Sequence, residues 1–508
     1  VARPAIVFIG FMGAGKSTAL AAAREAGLET TEIDELMEAE LGKPIRQAFE
    51  EDGEEAFRAG EAEVAGSLLE NADGGAIALG GGSVLSERVR EALDRHTVVL
   101  LEIDAAEAWR RIEGTERPLA TGENDVERLL AERLPLYEEL ADAVVPMADE
   151  GVVARALPAI EALAEMPAGT RLLWASSASG DYPVFVGPDL LGTEWWPLEG
   201  RGFCVTDENV EGYASRLGSP ERVFSIAPGE RSKSLSHVEE AILQMAALGM
   251  TREDHVVAVG GGVVGDLAGF CAHIYQRGVP VVQVPTTVVA QVDSAYGGKT
   301  GVDVDQLKNY AGAYHQPAAV FADTSTLESL PPRELAAGFV EVIKTGLLAG
   351  GSLWERVRAI EAVDPGDLDE IVFACARYKC SIVAADERDA GLRHVLNLGH
   401  TVGHAIEGAS AFSYLHGEAI GLGLLAALRL SDAAELRDEI ERILRRHELP
   451  VVLDSAIDVD HVLVVLERDK KRTAAGVGFV LLSEPGKPRT GQLVDAAKVR
   501  AAVEELCR

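Results

Sequence analysis

Over residues 5–145, short apolar runs rich in β-branched residues alternate with charged, Ala-rich stretches. The runs "AIVFIG", "AIALGGG" and "HTVVLLEI" predict strands, and the stretches between them predict helices, a βαβ order that implies a mainly parallel sheet. Residues 146–170 read as an Ala-rich helix followed by "EMPAGTR", a boundary by its Pro and Gly. Strand-like runs resume at "YPVFVG", "GFCVTD", "RVFSIA", "HVVAVGGG" and "VPVVQVP". After "LESLPPREL" the apolar spacing turns helical in "LAAGFVEVIKTGLLAG", "IVFACARYKCSIVAADE" and "GEAIGLGLLAALRLSDAAELRDEIERILRRH". The expected class is α/β in three pieces. Residues 1–165 form a P-loop domain with a parallel sheet, 166–330 a Rossmann-like nucleotide-binding domain, and 331–508 a mostly α-helical domain.

A length of 508 residues suits about three domains. The formal net charge is −35; by count the first 166 residues hold 15 Lys+Arg against 35 Asp+Glu, leaving 32 against 47 beyond. Both parts are acidic, so neither offers the broad basic field that nucleic acid or an anionic membrane requires. Phosphate must be held locally, by backbone N–H groups and a few placed cations. Five cysteines with no CxxC pair suit reduced thiols rather than a disulfide framework. No run reaches the ~18 apolar residues of a membrane span, and a strand at the N-terminus leaves no room for a signal peptide. The expected location is cytoplasmic.

The stretch "VFIGFMGAGKST" fits G-x-x-x-x-G-K-S/T between a predicted strand and helix. The N–H groups around Gly13 and Gly15, and the helix start at Ser17 and Thr18, would cradle ATP phosphates. Lys16 neutralises charge there, and the Ser17 hydroxyl ligates Mg²⁺. Downstream lie Asp34 past a second strand, Arg58 and Glu61 at i, i+3, the glycines Gly80, Gly81 and Gly82 after a strand, then Arg117 and Arg133. In this order and spacing, residues 5–145 resemble the shikimate kinases. The resemblance implies that Asp34 holds the shikimate hydroxyls as base or positioning group, and that Arg58 and Arg133 clamp its carboxylate. It implies that Gly80–Gly82 backbone lines the ring and that Arg117 closes over ATP. Where the family has Asp-x-Asp, this chain reads Glu32-Ile33-Asp34, a longer arm at the acid that helps hold Mg²⁺.

Gly260-x-Gly262-x-x-Gly265 matches the dinucleotide fingerprint, yet the acid expected about twenty residues on is replaced by "VVQVPTT". A conventional dehydrogenase is disfavoured, while a glycine loop against a pyrophosphate is retained. Asp293, Lys299, Lys308 and Asn309 crowd a glycine-interrupted segment, where lysines in an acidic chain suggest a bound anion. Glu341 and Lys344 share a helix face, and Arg393, Asn397, His400 and His404 recur at helical spacing before His416. Four of the eleven histidines fall within 23 residues, and spacing alone nominates both His400 and His404 for zinc.

Residues 172–505 resemble the 3-dehydroquinate synthases through "GGGVVGDLAGF", "PTTVVAQVDSAYGGKTGV", "LPPRELAAGFVEVIKTG", "NLGHTVGHAIE" and "LHGEA". The resemblance places the metal ligands, for Zn²⁺ or Co²⁺, on Glu341, His400 and His416, leaving His404 as a neighbouring or acid/base group. It places NAD⁺ contacts on Asp207, Glu230, Lys233, Gly261, Gly262 and Val263, and on Asp266, Thr286, Thr287 and Lys308. Substrate contacts fall on Arg277, Asp293, Lys299, Asn309 and Lys344, and on Lys379, Arg393, Asn397 and Lys470. Of these, Lys299, Lys344, Asn397 and His404 are expected to be catalytic in this part, as Lys16 and Asp34 are in the first.

Together the resemblances imply a bifunctional enzyme that phosphorylates shikimate and converts 3-deoxy-D-arabino-heptulosonate 7-phosphate to 3-dehydroquinate plus phosphate, with a homodimer through the synthase part. The alternatives are a related sugar-phosphate cyclase or metal-dependent polyol dehydrogenase in the second part, another small P-loop kinase in the first, and a scaffold with one degenerate domain.

Overall fold

The computed structural model describes residues 3–114, 122–217, 222–305, 307–411, 413–467, 472–473 and 476–508. Two compact units emerge, Val1–Ser176 with Asp181–Phe185, and Ser177–Gly180 with Val186–Arg508.

In the first unit the apolar runs pair in parallel, in the order Thr30–Glu32, Ala76–Ala78, Ile6–Ile9, Thr97–Glu102, Ala143–Pro146. Ile6–Ile9 is buried at every position, as a central strand covered on both faces must be. Its C-terminal end feeds the glycine loop and the helix Lys16–Glu25, so the loop opens at the carboxyl edge of the sheet, where ligands of open α/β sheets bind. A strand absent from the sequence reading, Arg171–Ser177, adds in parallel to Ala143–Pro146.

In the second unit the strands Ala319–Asp323, Val281–Pro285, His255–Gly260, Gly202–Asp207 and Arg222–Ile226 lie side by side, all parallel. The helix Gly262–Ile274 packs Val264, Leu267, Ala268, Cys271 and Ala272 onto that sheet. A hairpin, Lys299–Val304 with Leu307–Tyr314, occupies the segment read only as glycine-interrupted. Gly301 faces Gly312 across it, and the strand Leu307–Tyr314 carries no β-branched residue, so half of the hairpin lacks the usual strand signature.

Beyond residue 330 the chain is mainly helical, as the periodicity predicts. The helix Pro332–Ala349 is buried all round, which its apolar content requires. The helices His400–Ala409 and His416–Leu430 pack together, and His416–Leu430 also packs on Pro332–Ala349. A small antiparallel sheet that the helical spacing does not predict, Arg472–Thr473, Gly476–Leu482 and Pro488–Leu493, interrupts this part. Among the described residues, no helix is long and apolar enough to cross a membrane.

Candidate functional site

In the first unit Lys16 Nζ donates to Gly10 O at 2.9 Å and to Phe11 O at 3.2 Å, curling over the loop with Gly13 and Gly15 at its turn. Ser17 and Thr18 open the helix, and Ser17 Oγ donates to Glu32 Oε1 at 2.6 Å. The longer Glu32 arm therefore reaches the hydroxyl directly. Arg58 donates to Glu61 at 2.6 Å on the helix Glu54–Asn71, and Ser83 Oγ holds the other Glu61 oxygen at 2.9 Å. With Glu61 occupied on both oxygens, the guanidinium is pinned over Gly82, where a Cβ would collide with it. Arg133 NH1 and the Tyr137 hydroxyl both donate to Gly81 O. A Cβ built on Gly80 would lie 3.6 Å from Asp34 Oδ1. Asp34, Arg58, Gly80–Gly82 and Arg133 are thus brought together, and a cavity of about 290 Å³ opens between Arg58, Glu61 and Gly82. Arg117 lies outside the described residues. Arg111 donates to Gly13 O at 3.2 Å, although an arginine in a charged helix carries no distinguishing signal in the sequence.

In the second unit the glycine loop ends the strand His255–Gly260, and the helix begins at Gly262 and Val263 with Gly261 ahead of it. Free N–H groups at such a start suit an anion. Thr287 lies against Gly261, and Thr286 Oγ1 is buried with no hydrogen-bond partner, so the loop carries an unsatisfied donor where a cofactor would bind. Lys233, almost wholly buried, pairs with Asp266 at 2.7 Å and Glu230 at 3.6 Å, while Lys308 lies 3.7 Å from Glu230. Burial opposes the Lys233 charge, but Asp266 and Glu230 outweigh it and raise its pKa. Asp207 ends the neighbouring strand, and burial pushes its carboxyl up.

A buried relay of charges runs from this loop toward the helices. Asp293, in a π-helical turn at Ala290–Ser294, is ion-paired with Lys379 and lies 3.4 Å from Lys344. Lys344 in turn is ion-paired with Glu341 one helical turn away. Burial disfavours every one of these charges, yet the attraction of Lys344 and Lys379 holds the Asp293 carboxyl far below its usual range. For Lys379 the charge is disfavoured instead: burial leads, and Arg393 and Lys344 add to it, so its pKa too is lowered, despite Asp293. Arg393 donates to Glu387 O and Gly297 O, and Asn397 to His394 O. Lys299 is ion-paired with Asp389, and Asn309 N donates to Asp303 at 2.7 Å in a left-handed turn.

Arg277 stands apart. It is exposed at the far end of the helix Gly262–Ile274, ~20 Å of helix from the glycine loop, so the single chain does not bring it to this cluster. Lys470 lies outside the described residues.

Glu341, His400 and His416 converge. Glu341 Oε1 is 3.6 Å from His400 Nε2 and 3.3 Å from His416 Nε2. Tetrahedral zinc with bonds of ~2.0–2.1 Å needs donors about 3.4 Å apart, so the three fit one divalent ion and leave its fourth position open. The Glu341 side chain is wholly buried, with Oε2 against the Lys344 ammonium and Oε1 turned to the two imidazoles. Burial alone would neutralise that carboxyl; Lys344, His400 and His416 hold it well below the usual range. Burial opposes the His416 charge, but the carboxylates Glu341 and Glu407 on either side of the ring outweigh it and push its pKa up to about 10.

The even helical spacing of Arg393, Asn397, His400 and His404 is broken in the fold. Arg393 and Asn397 belong to a 3₁₀ helix, Leu392–Asn397, and Gly399 in the left-handed conformation (φ 77°) starts a new helix at His400. His404 lies beside the pair, its ring 5.1 Å from that of His400, but joins a different donor set, with Glu407 and His416. Asp389 and Glu407 escaped the sequence reading; Glu407 sits three residues after His404, a spacing that could have flagged it.

Family models described as 3-dehydroquinate synthase N-terminal and C-terminal match residues 223–337 and 338–472, and one described as shikimate kinase matches 12–162. The 3-dehydroquinate synthase of Symbiobacterium thermophilum is 40% identical over 351 residues, covering 64% of this chain and 98% of that protein. That of Xylella fastidiosa strain 9a5c is 43% identical over 348 residues, covering 63% and 88%. Among solved structures, 2-deoxy-scyllo-inosose synthase complexed with carbaglucose-6-phosphate, NAD⁺ and Co²⁺ matches at 28% identity and a TM-score of 0.59, over 66% of this chain and 99% of that one. ValA, the 2-epi-5-epi-valiolone synthase of Streptomyces hygroscopicus subsp. jinggangensis 5008 with NAD⁺ and Zn²⁺ bound, matches at 26% and 0.56, over 64% and 96%.

Proposed function

Because this chain belongs to the 3-dehydroquinate synthase family and carries a shikimate kinase domain ahead of it, we propose that it runs both reactions at separate sites. The first is transfer of the ATP γ-phosphoryl group to shikimate. The second is conversion of 3-deoxy-D-arabino-heptulosonate 7-phosphate to 3-dehydroquinate and phosphate. The observation that carries the second is the meeting of Glu341, His400 and His416 beside the buried cations Lys344, Lys379 and Arg393, in a chain of net charge −35.

In the kinase part, the loop N–H groups and Lys16 would hold the phosphates, and Ser17 and Glu32 would hold Mg²⁺. Arg58 and Arg133 match a carboxylate with planar donor forks, and Asp34 accepts the hydrogen bond of the hydroxyl that attacks. In the synthase part, Gly261, Gly262, Val263, Thr286 and Thr287 would hold NAD⁺, and Glu341, His400 and His416 the divalent cation. When bound, NAD⁺ supplies reversible hydride acceptance and the cation supplies Lewis acidity at a substrate hydroxyl. Lys379, Arg393 and Lys299 balance the substrate's carboxylate and phosphate. Asn397 supports oxygen charge, and His404, half exposed at the rim, holds and moves a proton at Nε2. The α/β part up to residue 330 serves the dinucleotide, and the helical part beyond serves the metal and substrate. A cytoplasmic location, where ATP and NAD⁺ are supplied, and a homodimer through the synthase part complete the reading; fractionation and light scattering check them.

One purified sample assayed for both activities tests it. ADP should form from shikimate, and phosphate should be released from the heptulosonate with no net NADH. A zinc-selective chelator should stop phosphate release, reversed by zinc, and leave ADP formation unchanged. Lys16→Ala should do the converse, lowering the kinase rate by ~10²–10³. Net NADH would favour a dehydrogenase, and phosphate release indifferent to chelation would defeat the metal assignment.

A further inference from the structure

Both histidines of the Glu341 triad present Nε2 to the same carboxylate oxygen, so something must hold each ring by its other nitrogen. For His400 the holder is the backbone: Nδ1 lies 3.1 Å from Leu398 O. His416 opens its helix, and its Nδ1 faces the side chain of Glu407, 3.4 Å from Oε2. Glu407 is only 3% exposed and is itself held from two sides. Lys308 Nζ stands 3.5 Å from Oε1, and His404 Nε2 4.0 Å from Oε2. Oε2 has no hydrogen-bond partner, although burying an unpaired carboxylate oxygen is costly. That cost is offset if the oxygen serves the imidazole N–H of His416.

We propose that Glu407 is a positioning residue for the metal. It accepts the Nδ1 proton of His416, fixes the tautomer with Nε2 as the lone-pair donor, and keeps the ring turned toward Glu341 and His400. A carboxylate behind a ligating imidazole also makes the ring a stronger donor, and removal of such a partner commonly weakens metal affinity by about 10–100-fold. The two rings are then tuned differently, since the neutral carbonyl of Leu398 backs one and a charged carboxylate the other. Glu407 also belongs to a second donor set with His404 and His416, so the rival assignment is a ligand to an ion of its own. The two roles compete for the same atom, because His416 Nδ1 cannot bind an ion while it donates a proton to Glu407.

The inference rests on the metal-site reading above, and full-length protein separates the two. The metal-free wild type, Glu407→Gln and Glu407→Ala are titrated with Co²⁺ against a chromophoric chelator, and the visible ligand-field band is recorded. Circular dichroism and thermal unfolding of the metal-free proteins check folding. The wild type should take up one tightly bound ion. Glu407→Ala should bind ~10–100-fold more weakly, and Glu407→Gln should lie between, with its band displaced from that of the wild type. Should Glu407→Ala not fold, Glu407→Gln decides alone. Wild-type affinity and an unmoved band in the variants would overturn the proposal. Two tightly bound ions in the wild type, one of them lost with Glu407, would overturn it in favour of a ligand role. Absence of tight binding in the wild type would instead remove the metal assignment on which it stands.

Discussion

Oε1 of Glu341 stands 3.3 Å from Nε2 of His416, although the two belong to different helices far apart in sequence. Glu341 lies mid-helix and is fixed by burial; His416 is the first residue of its helix and is fixed by that helix's start. Glu418 accepts the Leu415 N–H at 2.8 Å and pairs with Arg333 at 2.7 Å, tying the start of one helix to the start of the other. Glu341→Gln and His416→Ala should each lower metal affinity by at least ~10²-fold, the loss expected of a direct ligand rather than its support. Phosphate release should fall with it. Kinase activity in the same samples should be unchanged, and a parallel loss of both activities would count against separate sites.

Asp293 is shared between two lysines. Lys344 is wholly buried and Lys379 nearly so, and both meet this one carboxylate. Asp293→Asn should destabilise the synthase part by ~3–5 kcal/mol, because it leaves buried charge uncompensated. Pairing it with Lys379→Met should recover part of that loss, and a urea-unfolding double-mutant cycle measures the coupling. Simple additivity would mean the ion pair contributes little.

The metal helix depends on an absent side chain. A Cβ at Gly417 would overlap the backbone carbonyl of Ala337 on the helix that carries Glu341. Backbone cannot yield as a flexible side chain can, so Gly417→Ala should push the two helices apart and displace His416. The expected result is a lowered melting temperature together with weakened metal binding. Unchanged metal affinity would mean the helices absorb the methyl elsewhere.

Acid should reveal another pair. Arg201 donates to both oxygens of Asp254, and Thr251 N adds a bond at 2.7 Å. Burial favours the neutral acid, but these donors win and hold its pKa at about 2. An unfolded aspartate titrates near ~3.9. The folded value is the lower one, so the stabilisation is complete above about pH 4 and disappears as pH falls through ~2. Asp254→Asn should cost ~1–3 kcal/mol at neutral pH and much less near pH 2. A constant difference across that range, measured by urea unfolding, would refute the assignment.

Much of this architecture is set by local chemistry, which a linear chain displays. Alternating apolar runs and helical spacings marked the central strands and the helices, because burial on one or both faces writes a period into neighbouring residues. The glycine-rich loops were legible for the same reason: strand, turn and helix are contiguous. The hairpin at Lys299–Tyr314 and the small sheet near the C-terminus were not, since glycines interrupt their strands (Gly301 faces Gly312, and Gly478 and Gly491 lie in the small sheet) and weaken the apolar alternation. At the metal triad, spacing offered His400 and His404 equally, and resemblance kept His400, set His404 aside and added Glu341 and His416. Only the packing of three helices sets those donors within 3.3–3.6 Å, sends His404 to another donor set, and brings Glu407 behind His416. Side-chain identity along the chain tells which atoms can bind a cation; distances between atoms on separate helices depend on core packing, which no local period encodes.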